Sequence, residues 1–291
     1  MATRNGMPWL QEQLASVLTQ THTNWSLWIS DDGSTDGTRE VLEAFRQAHP
    51  GRVAMITDGP GRGAAANFLY LLRHPDLPQG TVALCDQDDV WRPQKLSKAV
   101  EALAFRPARP AIWSARYIFA DANLSVDRFS TDWPRPPAFG NAVVQNIMSG
   151  HTLTMNCEAM SLLRQGHDPD IPHHDWWVYL VMAASGAQMF HDRWIALTYR
   201  QHGRNLLGAR HLGRISRLRA LVDGTLGHWI GRNMWALAKA DVPMTTAAQS
   251  FLRDWQAEGQ LSPSLLRKHG IYRQSWIETR LLQLVAASGK L

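Results

Sequence analysis

Between residues 8 and 103 short apolar runs alternate with series of apolar residues at helical spacing, and few folds accommodate that alternation. Leu10, Leu14, Val17 and Leu18 recur at helical spacing behind Pro8, a residue tolerated at the first helical position. Residues 25–29 read as a strand ending at Asp31-Asp32-Gly33. Ser34 or Asp36 then can cap a helix whose inner face is Val41, Leu42 and Phe45. Residues 53–56 read as a short strand, and residues 64–72 as a helix entered through Gly61-Arg62-Gly63. A strand at Val82 precedes a helix opened by Pro93 with Leu96, Val100 and Leu103 inside. Strands separated by helices of this length predict an α/β chain with a doubly wound, mostly parallel sheet.

The strand at Val82-Ala83-Leu84 runs straight into Cys85-Asp86-Gln87-Asp88-Asp89-Val90-Trp91. Three carboxylates within four residues raise one another's proton affinity unless a cation neutralises them. Such an oxygen-rich group at a sheet's edge suits Mg²⁺ or Mn²⁺, ions that usually also hold a phosphate. A solvated acidic turn is the alternative. Further along, residues 112–119 read as a strand, and Pro134, Pro136 and Pro137 mark a loop. Residues 153–155 read as an edge strand before a helix at 158–163, and residues 195–198 as a strand. From about Leu212 the pattern is helical almost throughout.

Charge is divided along the chain. From Arg200 onward there are 14 Lys/Arg and 5 Asp/Glu, a net +9, against −4 for residues 1–199. An acidic front suits a cation and a nucleotide, and a basic tail suits an anionic partner. Cys85 and Cys157 form neither a zinc spacing nor a disulfide framework, which points to a reducing compartment. The longest apolar stretch, residues 176–190, contains Ser185, Gly186 and Gln188 and is too short for a span. With no signal peptide visible, a cytoplasmic location is expected.

Several motifs stand in a definite order: Ala2-Thr3-Arg4-Asn5-Gly6, Glu12-Gln13-Leu14, Gln20-Thr21, Ser30-Asp31-Asp32-Gly33-Ser34-Thr35-Asp36-Gly37-Thr38, Asn67-Phe68 and Asp86-Gln87-Asp88-Asp89-Val90-Trp91. Gly150-His151-Thr152, His174-Asp175-Trp176-Trp177 and Tyr199-Arg200-Gln201-His202-Gly203-Arg204-Asn205 follow. This order, across residues 2–208, resembles the inverting family-2 glycosyltransferases of the GT-A fold, and within them the bacterial rhamnosyltransferase-type branch. Gly270-Ile271-Tyr272-Arg273-Gln274 is also similar to that branch. The resemblance implies a Rossmann-like GT-A domain over residues 1–207, followed by a basic helical appendage over residues 208–291. The chain departs from the family in two places. Only Met1-Ala2-Thr3 precedes the Asn5-Gly6 turn, so the chain is expected to open at the tail of its first strand, and Arg4 stands where the family usually carries an aromatic.

The resemblance also implies roles. The donor is a nucleotide-diphosphate sugar, with thymine or uracil as base, and the acceptor a surface-polysaccharide or lipid-linked glycan. The cofactor is Mg²⁺ or Mn²⁺. Asp88 is the first metal ligand, and Asp86 contacts the ribose or a metal-bound water. His202 supplies a further metal contact or is a loop histidine. Asp32 accepts from the pyrimidine imide, as an acceptor-only carboxylate can, and Thr3 lines the base pocket. Arg62 and Asn67 reach the nucleotide, or are a surface arginine and a capping asparagine. Arg200 pairs with diphosphate oxygens. Asp89 backs the metal site or caps the helix after Pro93. Asp175 is the catalytic base, with a plain helix cap as alternative; a His173-His174-Asp175 metal site is disfavoured because adjacent residues rarely face one cation. Trp91 is the candidate acceptor platform.

Arg210, Arg214, Arg217, Arg219, Trp229, Arg232 and Trp235 suggest a peripheral contact with the anionic inner face of the plasma membrane. A packed helical appendage is the alternative, and no nucleic-acid motif accompanies the charge. Two rival functions are a catalytically impaired nucleotide-sugar-binding protein and a nucleotidyltransferase. The latter would carry a Gly-rich, lysine-containing first turn, which is missing here.

Overall fold

The computed structural model describes residues 1–104, 108–165, 168–203 and 223–291. β1 (Ala2–Thr3), β2 (Leu27–Asp31) and β3 (Val53–Asp58) pair in parallel, with Ala2 opposite Ser30 and Thr3 opposite Asp31. Ile29 and Ser30 are fully buried, as strands covered on both faces are. α1 (Leu10–Leu18), α2 (Thr38–Ala48) and α3 (Ala64–Leu72) connect these strands and lead out of them. Pro8 lies two residues before α1, after a cis peptide bond, and so is not its first helical residue. β1 reaches only the end of β2, and a cavity of about 620 Å³ opens beside its start, lined by Met1, Leu27, Trp28, Val82 and Leu84.

A second sheet has the order β4 (Val82–Ala83), β8 (Thr154–Met155), β6 (Ala111–Ala120), β9 (Gln188–Arg200) and β5 (Val90–Trp91), with β7 (Val126–Phe129) paired to β6. β6 and β9 run parallel over their whole length, and the other pairs of this sheet are antiparallel. The expected edge strand at 153–155 is β8, which is internal: β4 flanks it on one side and β6 on the other. Its two residues are buried because both neighbours cover them. The two sheets approach where Ala2 N–H donates to the Cys85 carbonyl, 3.3 Å. That contact brings the end of β1 against the acidic run.

α4 (Lys95–Ala104) packs on β6 and β9. α5 (Phe139–Ala142), α6 (Cys157–Leu163) and α7 (His174–Ala184) share one core with α3. Every residue of α7 from Trp176 to Ala184 is buried. Its all-round apolarity therefore reflects enclosure by protein; fully burying one such Leu or Val side chain contributes about 1.5–3 kcal/mol. Among the described residues no helix is long and apolar enough to cross a membrane.

The C-terminal region forms α8 (Thr225–Lys239), α9 (Thr246–Glu258), α10 (Pro263–Lys268) and α11 (Trp276–Ala287). Thr245 caps α9 and Ser262 caps α10, each hydroxyl accepting from a backbone N–H three residues on. Ile230, Met234, Phe251, Leu265 and Leu282 join α7 in the main core. The stretch Gly270–Gln274 docks on α5: Tyr272 N–H donates to the Gly140 carbonyl at 3.1 Å, and Arg273 Nη1 donates to the Val144 carbonyl at 2.8 Å. Arg210, Arg214, Arg217 and Arg219 lie outside the described residues, as does the 207/208 division.

Candidate active site

The turn after β2 is built by its own carboxylates. Asp31 accepts from the Ser34 backbone N–H (3.0 Å), the Ser34 hydroxyl (2.6 Å) and the Thr3 hydroxyl (2.7 Å). Gly33 supplies the left-handed residue, φ +83°, that this turn requires. Asp32, 4% exposed, accepts from Gly61 N–H at 2.6 Å and Gly63 N–H at 2.8 Å. It therefore holds the Gly61-Arg62-Gly63 loop at the mouth of the site. The Arg4 guanidinium lies 3.9 Å from it on the outer side.

Several expected nucleotide contacts have other partners. Thr3 is 2% exposed and its hydroxyl is committed to Asp31, so it anchors the turn and does not line a pocket. Asn67 is 1% exposed; its amide donates to the Ser30 carbonyl (2.9 Å) and accepts from the Ser30 hydroxyl (2.5 Å). It ties α3 to β2 and is neither a helix cap nor free for a ligand. A Cβ on Gly59 would fall 2.5 Å from Asn67 Oδ1 and 2.8 Å from Asp32 Oδ1, so this junction admits glycine. Asn67→Ala leaves the Ser30 hydroxyl without its Asn67 acceptor in the core and is expected to lower stability by about 1–3 kcal/mol. Urea unfolding measures that loss, and nucleotide affinity should change little. Arg62 is exposed and paired with Asp168 at 2.7 Å, beside the loop mouth.

The acidic run lies where β1, β5 and β9 meet. Asp88 Oδ2 is 2.8 Å from His202 Nε2, and the His202 ring stacks on Trp9 with centroids 3.6 Å apart. The predicted Asp88–His202 pair is thus assembled by the end of β9. Asp86, Asp89 and His151 offer ligand atoms that all lie within 4.8 Å of one another. Asp89 is fully buried, and neither of its carboxylate oxygens has a partner of normal hydrogen-bonding geometry among the described residues. It does not cap α4, which starts six residues later. His151 Nε2 is likewise unpartnered, and Nδ1 lies 4.0 Å from Asp86 Oδ2. Burial pushes His151 down to about 3, so the ring is a neutral donor–acceptor, the form in which imidazole binds metals. Burial, then Asp88, then Asp175 push Asp86 up to about 7, and burial with Asp88 and Asp86 raises Asp89 well above the carboxylate range.

Asp175 stands in the first turn of α7. Its Oδ2 accepts from Gly150 N–H at 3.0 Å and its Oδ1 from Trp176 N–H at 2.7 Å. Gly150 is needed there, because a Cβ would sit 2.7 Å from His174 Nε2 and 3.1 Å from Asp175 Cβ. The charge of Asp175 is felt at both Asp86 and His151, so the expected base and the acidic run share one site. His174 stacks on Phe68 and His173 meets Trp229 edge-on, so the three residues His173-His174-Asp175 do not face a common point.

Two expected contacts are corrected. Arg200 is 2% exposed; it donates to the Asp88 carbonyl (3.1 Å) and the Ala122 carbonyl (2.5 Å), and pairs with Glu12. It is a buried clamp under the acidic run, out of reach of a diphosphate. Trp91 is 5% exposed in the core around β2, with the Lys95 ammonium 3.2 Å from its ring centroid; it borders the cavity beside β1 and is not an open platform for a sugar. The sequence reading did not single out His151, which stood only inside the Gly150-His151-Thr152 motif, and did not name Lys95.

A parallel layer ending in Asp31 and Asp32 is closed by a mixed sheet whose β4–β5 connection carries Asp86, Asp88 and Asp89 and whose β9 is followed by His202, the arrangement expected of the GT-A fold. The chain belongs to glycosyl transferase family 2, whose description matches residues 1–170. It is 30% identical over 215 residues to the dTDP-rhamnosyl transferase RfbG of Shigella flexneri, covering 72% of this chain and 74% of that protein. In fold it is similar to the mannosyltransferase PcManGT of Pyrobaculum calidifontis in complex with GDP-Man and Mn²⁺: TM-score 0.55, 19% identity, 99% of this chain and 85% of that one. It is also similar to S. aureus TarS in complex with UDP-GlcNAc: TM-score 0.56, 12% identity, 86% of this chain and 68% of that one.

Proposed function

We propose that this enzyme transfers a sugar, with rhamnose the first candidate, from a nucleotide-diphosphate donor to a hydroxyl of a surface-polysaccharide or lipid-linked glycan, with inversion. The likeness to a dTDP-rhamnosyl transferase favours thymine as the base and rhamnose as the sugar. The observation that carries the reading is the convergence of Asp86, Asp88, Asp175, His151 and His202 on one site beside the Gly61–Gly63 loop. The basic tail, net +9 from Arg200 onward, favours work at the anionic inner face of the plasma membrane, on the cytoplasmic side.

The donor set fits Mg²⁺ or Mn²⁺: buried or part-buried carboxylates with a neutral imidazole, their ligand atoms within 4.8 Å of one another for Asp86, Asp89 and His151. Asp88, Asp86 and His202 would hold the ion, with Asp89 and His151 behind them. When bound it neutralises charge on the departing diphosphate. The chain's own residues do the rest. Asp32 and Gly59 fix the loop against which the nucleotide lies, and Arg200 fixes the backbone of Asp88 from below. Asp175, oriented by Gly150 N–H, takes the acceptor hydroxyl's proton as its oxygen bonds to the anomeric carbon. The bond from that carbon to the diphosphate breaks in the same displacement, its electron pair leaving with the diphosphate.

A panel of dTDP- and UDP-sugars, supplied with lipid-linked glycan acceptors, tests this reading. A glycosylated product of inverted anomeric configuration is expected; donor binding without transfer would favour the impaired binding protein.

A pH dependence follows from Asp86. Its folded pKa is raised above the unfolded value, so the ion-free fold is more stable at low pH, and that advantage is lost as pH rises through about 7. Cation binding below that pH must displace a proton. Mn²⁺ affinity is expected to fall with pH below about 7 and its binding to release protons, which calorimetry in buffers of different ionisation enthalpy reads directly.

A further inference from the structure

A second cavity, of about 400 Å³, lies between the C-terminal ends of α3 and α6 and the helices α7 and α8. Its apolar wall is Leu162, Leu163, Trp177, Val181, Trp235 and Ala236. A cavity of this size, apolar with a few charged groups, is the ordinary form of a small-ligand site. Arg73, Arg232 and Lys239 join the lining, against Asp168 and Asp170. Asp168 is already paired at 2.7 Å with Arg62 of the Gly61–Gly63 loop, and Asp170, paired with Arg232, is 89% exposed. Positive charge is therefore in excess. The Nε atoms of Arg73 and Arg232 are both buried, and neither has an acceptor among the described residues. Buried donors are normally satisfied, so two orphans lining one cavity mark where an acceptor enters from outside. An anionic oxygen meets both needs, since it accepts from guanidinium N–H and offsets the surplus charge. The cavity also adjoins the catalytic site. Trp177 stands two residues beyond Asp175 on α7, and Asp168 holds the loop that Asp32 fixes. Trp235, 52% exposed, carries the apolar lining out to the surface.

We propose that this cavity binds the lipid phosphate of the acceptor: its walls cover the apolar chain next to the phosphate, and Arg73, Arg232 and Lys239 hold the phosphate oxygens. The proposal rests on the sugar-transfer reading above and narrows its acceptor to a lipid-linked glycan. A lipid-free polysaccharide would leave the apolar wall uncovered, and an uncharged lipid would leave the cations unmatched.

The test titrates the full chain, without metal or donor, with farnesyl phosphate, a short isoprenoid chain ending in a phosphate. Calorimetry is expected to show binding at least about tenfold tighter than that of farnesol or of inorganic phosphate. Arg232→Gln together with Lys239→Gln should weaken the probe by about tenfold, the share of a lost charge-assisted hydrogen bond. Ala236→Trp fills the cavity and should abolish binding; should that variant fail to fold, the double variant decides alone. In turnover, the double variant should raise KM for a lipid-linked acceptor about tenfold and leave donor affinity unchanged. Equal binding of farnesol or of inorganic phosphate overturns the proposal, as does probe affinity that the variants leave unmoved. Equal competition by phosphatidylglycerol vesicles also overturns it, since the cavity would then take any anionic lipid. A chain that binds the probe here yet transfers no sugar would refute the activity and leave the isoprenyl phosphate site standing. Transfer to lipid-free and lipid-linked glycans with the same KM would keep the activity and overturn the site.

Discussion

Asp175→Asn is expected to lower kcat by about 10²–10⁴-fold while leaving nucleotide-sugar affinity nearly unchanged. The amide keeps the size of the carboxylate, and its oxygen can still accept the Gly150 N–H bond that orients the side chain. It loses the ability to take a proton, and with it one acceptor, that for the Trp176 N–H. Initial rates at saturating acceptor, with donor affinity measured in parallel, separate the two effects. Equal loss of kcat and donor affinity would mean that Asp175 organises the pocket and leaves the proton to another group. Unchanged turnover would remove it from the mechanism.

Asp88→Ala is expected to cost about 10³-fold or more in kcat/KM, since a cation at a departing diphosphate supplies several kcal/mol of charge stabilisation. His202 would lose its 2.8 Å partner, and Arg200 would keep its hold on the backbone carbonyl of residue 88. The fold should therefore survive where the chemistry does not. Mn²⁺ titration followed by melting temperature checks the cause: the parent protein is stabilised by the ion, and the variant is not. A variant that retains the metal response would move the ion to the deeper Asp86, Asp89 and His151 group.

What could be read from the chain alone follows physical lines. The strand end at Asp31-Asp32-Gly33 was legible from local residues, whereas Ser34, read as a cap candidate, donates to Asp31 in that turn and does not cap α2. The acidic run was legible for the same reason: three carboxylates adjacent in sequence stay adjacent in space. Residues whose role depends on which element lies behind them were harder. Trp91 and Arg200 looked like pocket residues by type, but β5 and β9 turn both into the core. Asn67 was assigned to ligand or cap because nothing in its own helix shows that Ser30 lies across from it. Lys95 carried no signal, since a lysine at a helix start is ordinarily solvated. Among elements, β7 escaped because all four of its residues are exposed and show no alternation. β9 outran its predicted four residues because pairing with β6, not its own apolar pattern, sets its length.

The central claim is that a divalent cation and a nucleotide sugar bind this chain together. The direct measurement is the melting temperature of the full-length protein across a panel of dTDP- and UDP-sugars, with and without saturating Mn²⁺. Ligand at about a hundred times its Kd stabilises a fold by about 2.7 kcal/mol, which such a measurement resolves. At least one nucleotide sugar is expected to raise Tm only when the cation is present, and Asp88→Ala should erase the rise. No shift with any donor at saturating cation, or the same shift without it, would contradict the account.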